Sequence, residues 1–231
     1  MGIFECKALT KRYGSLTAID NIDLDIEPGH IVGLLGPNGS GKTTLIKMAN
    51  GLLAPTAGQI LIGGEKPSVA TKKIVSYLPD RMALPTWMKM TQALDFFGDF
   101  YEDFDRAMAE ELLRRLGIDP GQTIKQMSKG TQEKVQLILV MSRRAQLYLL
   151  DEPIGGVDPA TRDYIINTII NNYNENAAVV ISTHLIADVE NILDEVIFIN
   201  SGRIVCRDAV DAIREGRGMS VDAYFREVFK C

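Results

Sequence analysis

One stretch near the start of the chain decides its fold: Gly36-Pro37-Asn38-Gly39-Ser40-Gly41-Lys42-Thr43. It matches the pattern G-x-x-x-x-G-K-[ST]. The apolar run from His30 to Leu35 before it is typical of a short buried strand, and Lys42 to Met48 has the pattern of a helix. Glycines let consecutive backbone N–H groups turn inward, and the helix N-terminus adds a partial positive charge. The stretch therefore predicts a cradle for the phosphates of a nucleotide.

Within this cradle each residue type has an expected task. Lys42 is expected to reach the β- and γ-phosphates, and the Thr43 hydroxyl is expected to bind Mg²⁺. The predicted nucleotide contacts in this region are Gly36, Pro37, Asn38, Gly39, Ser40, Gly41, Lys42, Thr43 and Thr44. The implied ligands are ATP and Mg²⁺.

A second stretch, Leu147-Tyr148-Leu149-Leu150-Asp151-Glu152, places two adjacent carboxylates after a predicted buried strand. An apolar strand that ends in an acid is common and often only caps a helix. Together with the Lys42 loop the pattern becomes specific. Asp151 is expected to hold Mg²⁺, and Glu152 is expected to orient or deprotonate the attacking water.

The rest of the chain alternates short apolar runs with turns, except for a helical tract from about Thr91 to Leu116. This order predicts an α/β core interrupted by a helical insertion. Strands are expected at 59–62, 74–78 and 179–182, a helix at 161–173, a hairpin at 196–205 and a helical tail from Ser220 to Lys230. An aromatic stripe in the insertion, which packing in a core explains better than docking of a partner helix, comprises Phe97, Phe100, Tyr101 and Phe104.

Composition excludes several classes of protein. The 231 residues are 46% hydrophobic and 24% charged, and the formal charge of −5 gives no broad basic surface for nucleic acid. The cysteines, Cys6, Cys206 and Cys231, are too widely spaced for a zinc site or a disulfide framework. The N-terminus has no apolar signal region, and no apolar run approaches the ~18 residues that span a bilayer.

These motifs, taken together, resemble the nucleotide-binding domain of ABC-type ATPases over nearly the whole chain. The resemblance implies a P-loop NTPase core with a mainly parallel sheet, an N-terminal antiparallel β subdomain and an inserted α-helical subdomain. The chain would be a single domain, residues 1–231, with the core and β subdomain in 1–84 and 146–231 and the helical subdomain in 85–145.

Further residues match the family's motifs in order. Tyr13 stands where the family has an aromatic ring that stacks on adenine. Ser128 and Gly130 match the signature Leu-Ser-Gly-Gly-Gln, which contacts the γ-phosphate of ATP held by a second domain. Lys129 replaces the first glycine of that signature, and Thr131 stands in place of its glutamine.

Three more positions complete the implied site. Asp158, in Gly155-Gly156-Val157-Asp158-Pro159, resembles the acid that crosses the dimer interface. His184 resembles the switch histidine that contacts the γ-phosphate and holds Glu152 or the water. Asp80 stands where the family has a glutamine that touches Mg²⁺; it still offers oxygen to a hard cation, or it can pair with Arg81.

The resemblance implies an ATPase with Lys42, Glu152 and His184 in catalysis, acting as the cytoplasmic motor subunit of a transporter on the inner face of the membrane. Its partners would be transmembrane permease subunits and a second ABC domain, either another copy or a relative, and not nucleic acid. The alternatives are a soluble ABC ATPase of a cytoplasmic assembly or nucleic-acid-maintenance complex, and an ATP-binding switch that scarcely hydrolyses. The short segment between Asp80 and Ser128 leaves no room for the long coiled coil of chromosome-maintenance ATPases.

Overall fold

The computed structural model describes residues 2–229. The strands are β1 (Phe4–Tyr13), β2 (Leu16–Ile26), β3 (Ile31–Leu35), β4 (Ala57–Ile62), β5 (Val75–Leu78), β6 (Leu147–Asp151), β7 (Ala178–Thr183), β8 (Glu195–Asn200) and β9 (Arg203–Ala209). The helices are α1 (Lys42–Ala49), α2 (Val69–Lys72), α3 (Met90–Phe100), α4 (Arg106–Arg115), α5 (Lys129–Met141), α6 (Pro159–Asn172), α7 (Ile186–Val189), α8 (Val210–Arg217) and α9 (Val221–Phe229). Short 3₁₀ turns lie at Ile124–Gln126 and Glu190–Ile192.

The larger sheet has the order β5-β6-β7-β3-β8-β9, and only the pairing of β8 with β9 is antiparallel. Strands β3, β6 and β7 are buried along their whole length because helices or the second sheet cover both faces. The carboxyl ends of these three parallel strands meet at one edge, where a doubly wound sheet places its ligand. That edge holds the loop of residues 36–41 and the residues that follow β6 and β7.

The smaller sheet is antiparallel, in the order β2-β1-β4. Its buried residues join those of α1 and of the large sheet in one apolar cluster that includes Phe4, Ile26, Leu45 and Leu149. The predicted fold class is therefore confirmed: a mainly parallel sheet, an N-terminal antiparallel sheet and helices inserted between β5 and β6.

The inserted helices α3, α4 and α5 have an apolar cluster of their own, with Met90, Leu94, Leu113, Val135 and Leu139 at its centre. A separate cluster gives this part of the chain its own packing. Its exact limits at residues 85 and 145 stay a prediction.

The aromatic stripe of the insertion is only partly as predicted. Helix α3 ends at Phe100, so Tyr101 and Phe104 lie in the connection to α4 rather than on one continuous helical face. Phe97 and Phe104 pack against the cluster, in agreement with the prediction. Phe100 does not: its side chain is 68% exposed, and its ring lies 4.6 Å from that of Phe96, which is also exposed.

A buried arginine holds the connection that interrupts the helical tract after Phe100. Arg143 lies just beyond the end of α5, and its side chain is buried. Its Nε is 2.9 Å from Asp103 Oδ1, its guanidinium lies 3.7 Å from the Tyr101 ring centroid, and it donates to the Lys73 carbonyl at 2.7 Å. These contacts bind the α3–α4 connection to the start of β5.

The C-terminal helix packs Tyr224 and Phe225 against Phe198 of β8. The predicted helical tail is confirmed as far as Phe229, whereas Lys230, like Met1 and Cys231, lies outside the described residues. In the part of the chain that the structure describes, no helix is long and apolar enough to cross a membrane.

Candidate functional site

The loop between β3 and α1 is held by close packing at two glycines. A Cβ on Gly36 would lie 2.3 Å from the Ile199 carbonyl oxygen, and one on Gly41 would lie 2.6 Å from the Ala18 carbonyl oxygen. Gly41 also has φ 114°, which side chains rarely tolerate. The Ser40 hydroxyl is buried without a hydrogen-bond partner among the described residues. This compact loop fits an anion that would accept from the free hydroxyl.

Lys42 begins α1 with its side chain folded back over the loop. Its ammonium group donates to the carbonyl oxygens of Gly36 at 2.8 Å and Pro37 at 3.2 Å, and it lies 3.5 Å from Glu152 Oε1. Burial lowers the pKa of Lys42, and the Glu152 carboxylate raises it in part. The carboxylate and the carbonyl groups thus hold a nearly buried cation at the phosphate cradle.

Asp151 ends β6 in a fully buried position. Its Oδ1 accepts from Ser182 Oγ at 2.5 Å and from Thr43 Oγ1 at 3.1 Å, while its Oδ2 is buried without a partner among residues 2–229. Burial raises the pKa of Asp151, and the two hydroxyl donors lower it in part.

These donors fit a magnesium ion. Mg²⁺ takes one or two protein oxygens and keeps its other positions for water and phosphate. The free carboxylate oxygen of Asp151 and the adjacent Thr43 hydroxyl supply such a set. Among the described residues, no cluster of three or more His, Cys, Asp or Glu side chains could hold a metal ion.

Glu152 connects Lys42 with His184. Its Oε2 lies 3.0 Å from His184 Nδ1, and its Oε1 faces Lys42. Its backbone has φ 51°, a left-handed conformation that costs a non-glycine residue of the order of 1 kcal/mol or more. The Glu152 N–H donates to the Ser182 carbonyl at 2.9 Å and so secures this turn. The three residues predicted for catalysis thus lie in one continuous row.

Ser182 was missed as a site residue. It lies beside Asp151 in the register of β6 and β7, donates to the Asp151 carboxylate and accepts the Glu152 N–H. A small hydroxyl residue at the end of a buried apolar strand is the signal in the sequence, but its partner depends on which strands are neighbours.

Asp80 follows β5 and does not bond to Thr43 or Asp151. Its side chain is partly exposed and lies 3.9 Å from Arg81 Nε. Its negative charge nevertheless contributes to raising the pKa of Asp151, after burial as the main cause. Its predicted role as a metal ligand stays a prediction.

Tyr13 ends β1 with 45% of its surface exposed. The Lys11 ammonium lies 5.1 Å from the ring centroid and donates to the Ala54 carbonyl at 2.7 Å. A half-exposed ring of this kind suits stacking on a base, and that role stays a prediction.

The residues expected to face a second domain bond within their own helices. Ser128 caps α5 and accepts from the Thr131 N–H at 3.2 Å. Asp158 caps α6 and accepts from the Thr161 N–H at 3.0 Å and the Thr161 hydroxyl at 2.7 Å. A Cβ built on Gly130 would lie 3.9 Å from Asp158 Oδ2. Ser128, Gly130 and Asp158 therefore belong to two adjoining helix N-termini.

Comparison with known sequences supplies relatives. The family model described as ABC transporter matches residues 19–155. An uncharacterized ABC transporter ATP-binding protein, YhaQ of Bacillus subtilis, is 30% identical over 215 residues, which cover 91% of this chain and 72% of the relative. The daunorubicin resistance ATP-binding protein DrrA3 of Streptomyces coeruleorubidus is 30% identical over 226 residues, or 94% and 72% of the two chains.

Solved structures agree on the fold. An ATP-binding subunit of an ABC transporter superposes with a TM-score of 0.87 at 26% identity, covering 98% of this chain and 99% of the other. The ATP-binding cassette MJ0796, in a dimeric post-hydrolysis state with ADP and Pi, has a TM-score of 0.77 at 22% identity and covers 89% of this chain and 98% of its own.

Proposed function

The chain belongs to the ABC transporter family of ATP-binding proteins, and we propose that it is the subunit whose ATP hydrolysis drives a membrane transporter. As a member of this family it binds ATP and is an ATPase. The observation that carries the proposal is the row formed by Lys42, Glu152 and His184 at the edge of the large sheet.

The chemistry follows from these residues. The backbone N–H groups of the loop and the Lys42 ammonium bind phosphate oxygens, and Glu152 accepts the proton of the attacking water. His184 holds the Glu152 carboxylate in place through its Nδ1. Thr43 and Asp151 would hold Mg²⁺, which when bound neutralises negative charge on the phosphates. Asp80 adds a further oxygen near this site.

We further propose that two ABC domains close on ATP. Ser128 and Gly130 of one domain would complete the phosphate site of the other, because a capped helix N-terminus offers N–H groups and a partial positive charge to an anion. The partner is a second copy of this chain or a relative. The dimeric state of MJ0796 supports this arrangement.

A transmembrane permease is the second proposed partner. Beside the inserted helices lies a cleft of about 620 Å³, lined mainly by apolar side chains and including Asp80, Leu84, Met88 and Phe97. The exposed ring of Phe96 is part of this lining, and the exposed ring of Phe100 packs against that of Phe96. Exposed aromatic pairs of this kind mark protein interaction sites. On this proposal the chain works in the cytoplasm, attached to the inner face of the membrane through the permease.

The double variant Phe96→Ser/Phe100→Ser tests this partner. We expect the purified variant to keep its ATPase activity. The fraction that sediments with membranes of the native cell should fall at least about tenfold, since aromatic side chains that become buried in an interface contribute about 2 kcal/mol or more each. Val205→Ser is the matched control, because Val205 is exposed on β9, in another part of the fold. A cysteine at position 100 should also crosslink to a protein with membrane-spanning segments.

The same experiment separates the alternatives. If the unaltered chain stays in the supernatant with cytoplasmic proteins, the transporter role is wrong and a soluble assembly ATPase is favoured. If the double variant sediments with membranes as well as the unaltered chain does, the Phe96–Phe100 surface is not the docking site.

A further inference from the structure

The side chain of Tyr77, which has no place in the chemistry above, lies on the same face of the sheet as Asp151. In the parallel pairing of β5 with β6, Tyr77 lies opposite Leu149, and Asp151 follows Leu149 by two residues. Side chains two residues apart on a strand point to the same face. That face is covered by α1, since Tyr77 packs in the apolar cluster with Leu149 and Leu45. The same helix supplies Thr43 to Asp151.

Two buried polar atoms on this face lack hydrogen-bond partners among the described residues. One is the Tyr77 hydroxyl, and the other is Asp151 Oδ2. Leaving a buried donor or acceptor unpaired costs about 1–3 kcal/mol, so native proteins rarely do so without a reason. The phenol is a donor, and the carboxylate oxygen is an acceptor. Each is therefore chemically suited to satisfy the other.

The Tyr77 side chain is uncharged at neutral pH. Burial raises the pKa of Tyr77 above its ordinary value, and the negative charges of Asp151 and then Asp80 raise it further. The hydroxyl consequently keeps its proton at neutral pH. No direct hydrogen bond joins the Tyr77 hydroxyl to Asp151.

We propose that Tyr77 is a positioning residue of the magnesium site: its hydroxyl donates, through one bridging water, to Asp151 Oδ2 and fixes the direction of that carboxylate. The inference rests on the proposed role of Asp151 and Thr43 in holding Mg²⁺. A water between two polar groups can serve nearly as well as a direct hydrogen bond. Groups that orient a ligating carboxylate typically change metal affinity by about 10–100-fold when they are removed.

The test compares Tyr77→Phe with the unaltered chain. The affinity for a fluorescent, non-hydrolysable ATP analogue is measured in EDTA and again in excess Mn²⁺, and the ratio of the two gives the gain from the metal. We expect Tyr77→Phe to reduce that gain by about tenfold and to leave the affinity in EDTA unchanged. The electron paramagnetic resonance spectrum of bound Mn²⁺ should also differ between Tyr77→Phe and the unaltered chain.

Tyr164→Phe is the matched control, since Tyr164 on α6 also has a buried hydroxyl but packs with the inserted helices. Its gain from Mn²⁺ should equal that of the unaltered chain. An equal gain in Tyr77→Phe would overturn the inference and leave the proposed metal site intact. A parallel loss in EDTA and in Mn²⁺ would also overturn it, because Tyr77 would then act by packing alone. If the unaltered chain gains nothing from Mn²⁺, the metal site itself is wrong.

A second measurement does not depend on the folding of the variant. With 3-fluorotyrosine placed at position 77, the fluorine resonance should shift when Mg²⁺ is added together with the analogue and should stay in place with the analogue in EDTA. The absence of a metal-dependent shift would contradict the inference.

Discussion

Glu152→Gln is expected to lower ATP turnover by at least about 100-fold, because loss of a general base typically costs 10²–10⁴ in rate. The amide keeps the shape of the side chain and its contact distance to His184, but it cannot take a proton from water. Substrate binding should survive, since Lys42 and the backbone of the loop are untouched. Steady-state phosphate release measures the loss.

The same variant should trap the closed pair of domains. Light scattering on Glu152→Gln with Mg-ATP is expected to give twice the mass measured without nucleotide. Glu110→Gln, an identical chemical change at an exposed carboxylate on α4 that pairs with Arg106, should hydrolyse ATP normally and show no such stable doubling.

Two outcomes would contradict these expectations in different ways. Unchanged turnover in Glu152→Gln would remove Glu152 from the proton transfer. A monomer that binds ATP tightly but never doubles in mass would exclude the homodimer, and the partner domain would have to be a relative or to require the permease.

Lys42→Ala is expected to weaken ATP binding by about 100-fold or more. Hydrogen bonds to charged groups are worth about 1.5–3 kcal/mol each, and the Lys42 ammonium group donates two hydrogen bonds to carbonyl oxygens of the loop of residues 36–41. The substitution also leaves Glu152 without its cationic neighbour, so repulsion between this carboxylate and the phosphates adds to the loss. Titration with a fluorescent ATP analogue measures the affinity.

Lys47→Ala serves as the control for Lys42→Ala. Lys47 lies on the same helix but borders the cleft beside the inserted helices, so its loss should leave ATP affinity within about twofold, as for most surface substitutions. Comparable weakening in both variants would mean that general charge, rather than the position of Lys42, attracts the nucleotide.

The parts of the fold that the sequence predicted are those with local signals. The strand before Gly36, the helix after it and the hairpin of β8 and β9 each follow from apolar runs and turn residues in sequence order. The break of the inserted tract after Phe100 has a different origin. The connection there is held by the pairing of Asp103 with Arg143, forty positions further along the chain, and no local pattern reports such a contact.

The candidate site likewise contains residues that the sequence predicted and residues that only the structure identifies. Lys42, Asp151, Glu152 and His184 stand in motifs of recognisable order, and the structure brings them together at one edge. Ser182 could not be assigned without the register of β6 and β7. The sequence likewise gives no signal for the Tyr77 hydroxyl, because the role proposed for it depends on the unpaired Asp151 Oδ2 on the neighbouring strand β6.

The left-handed backbone of Glu152 affects the stability of the fold as well as the site. Glycine at this position would relax the turn, since only glycine adopts such a conformation without steric cost, but it would also remove the carboxylate beside the nearly buried Lys42 ammonium. A laboratory selection for heat resistance alone would therefore gain little from replacing Glu152, because the relief of backbone strain is offset by the loss of this ion pair. The strain is the thermodynamic cost at which this chain keeps an acid at the mouth of the phosphate cradle.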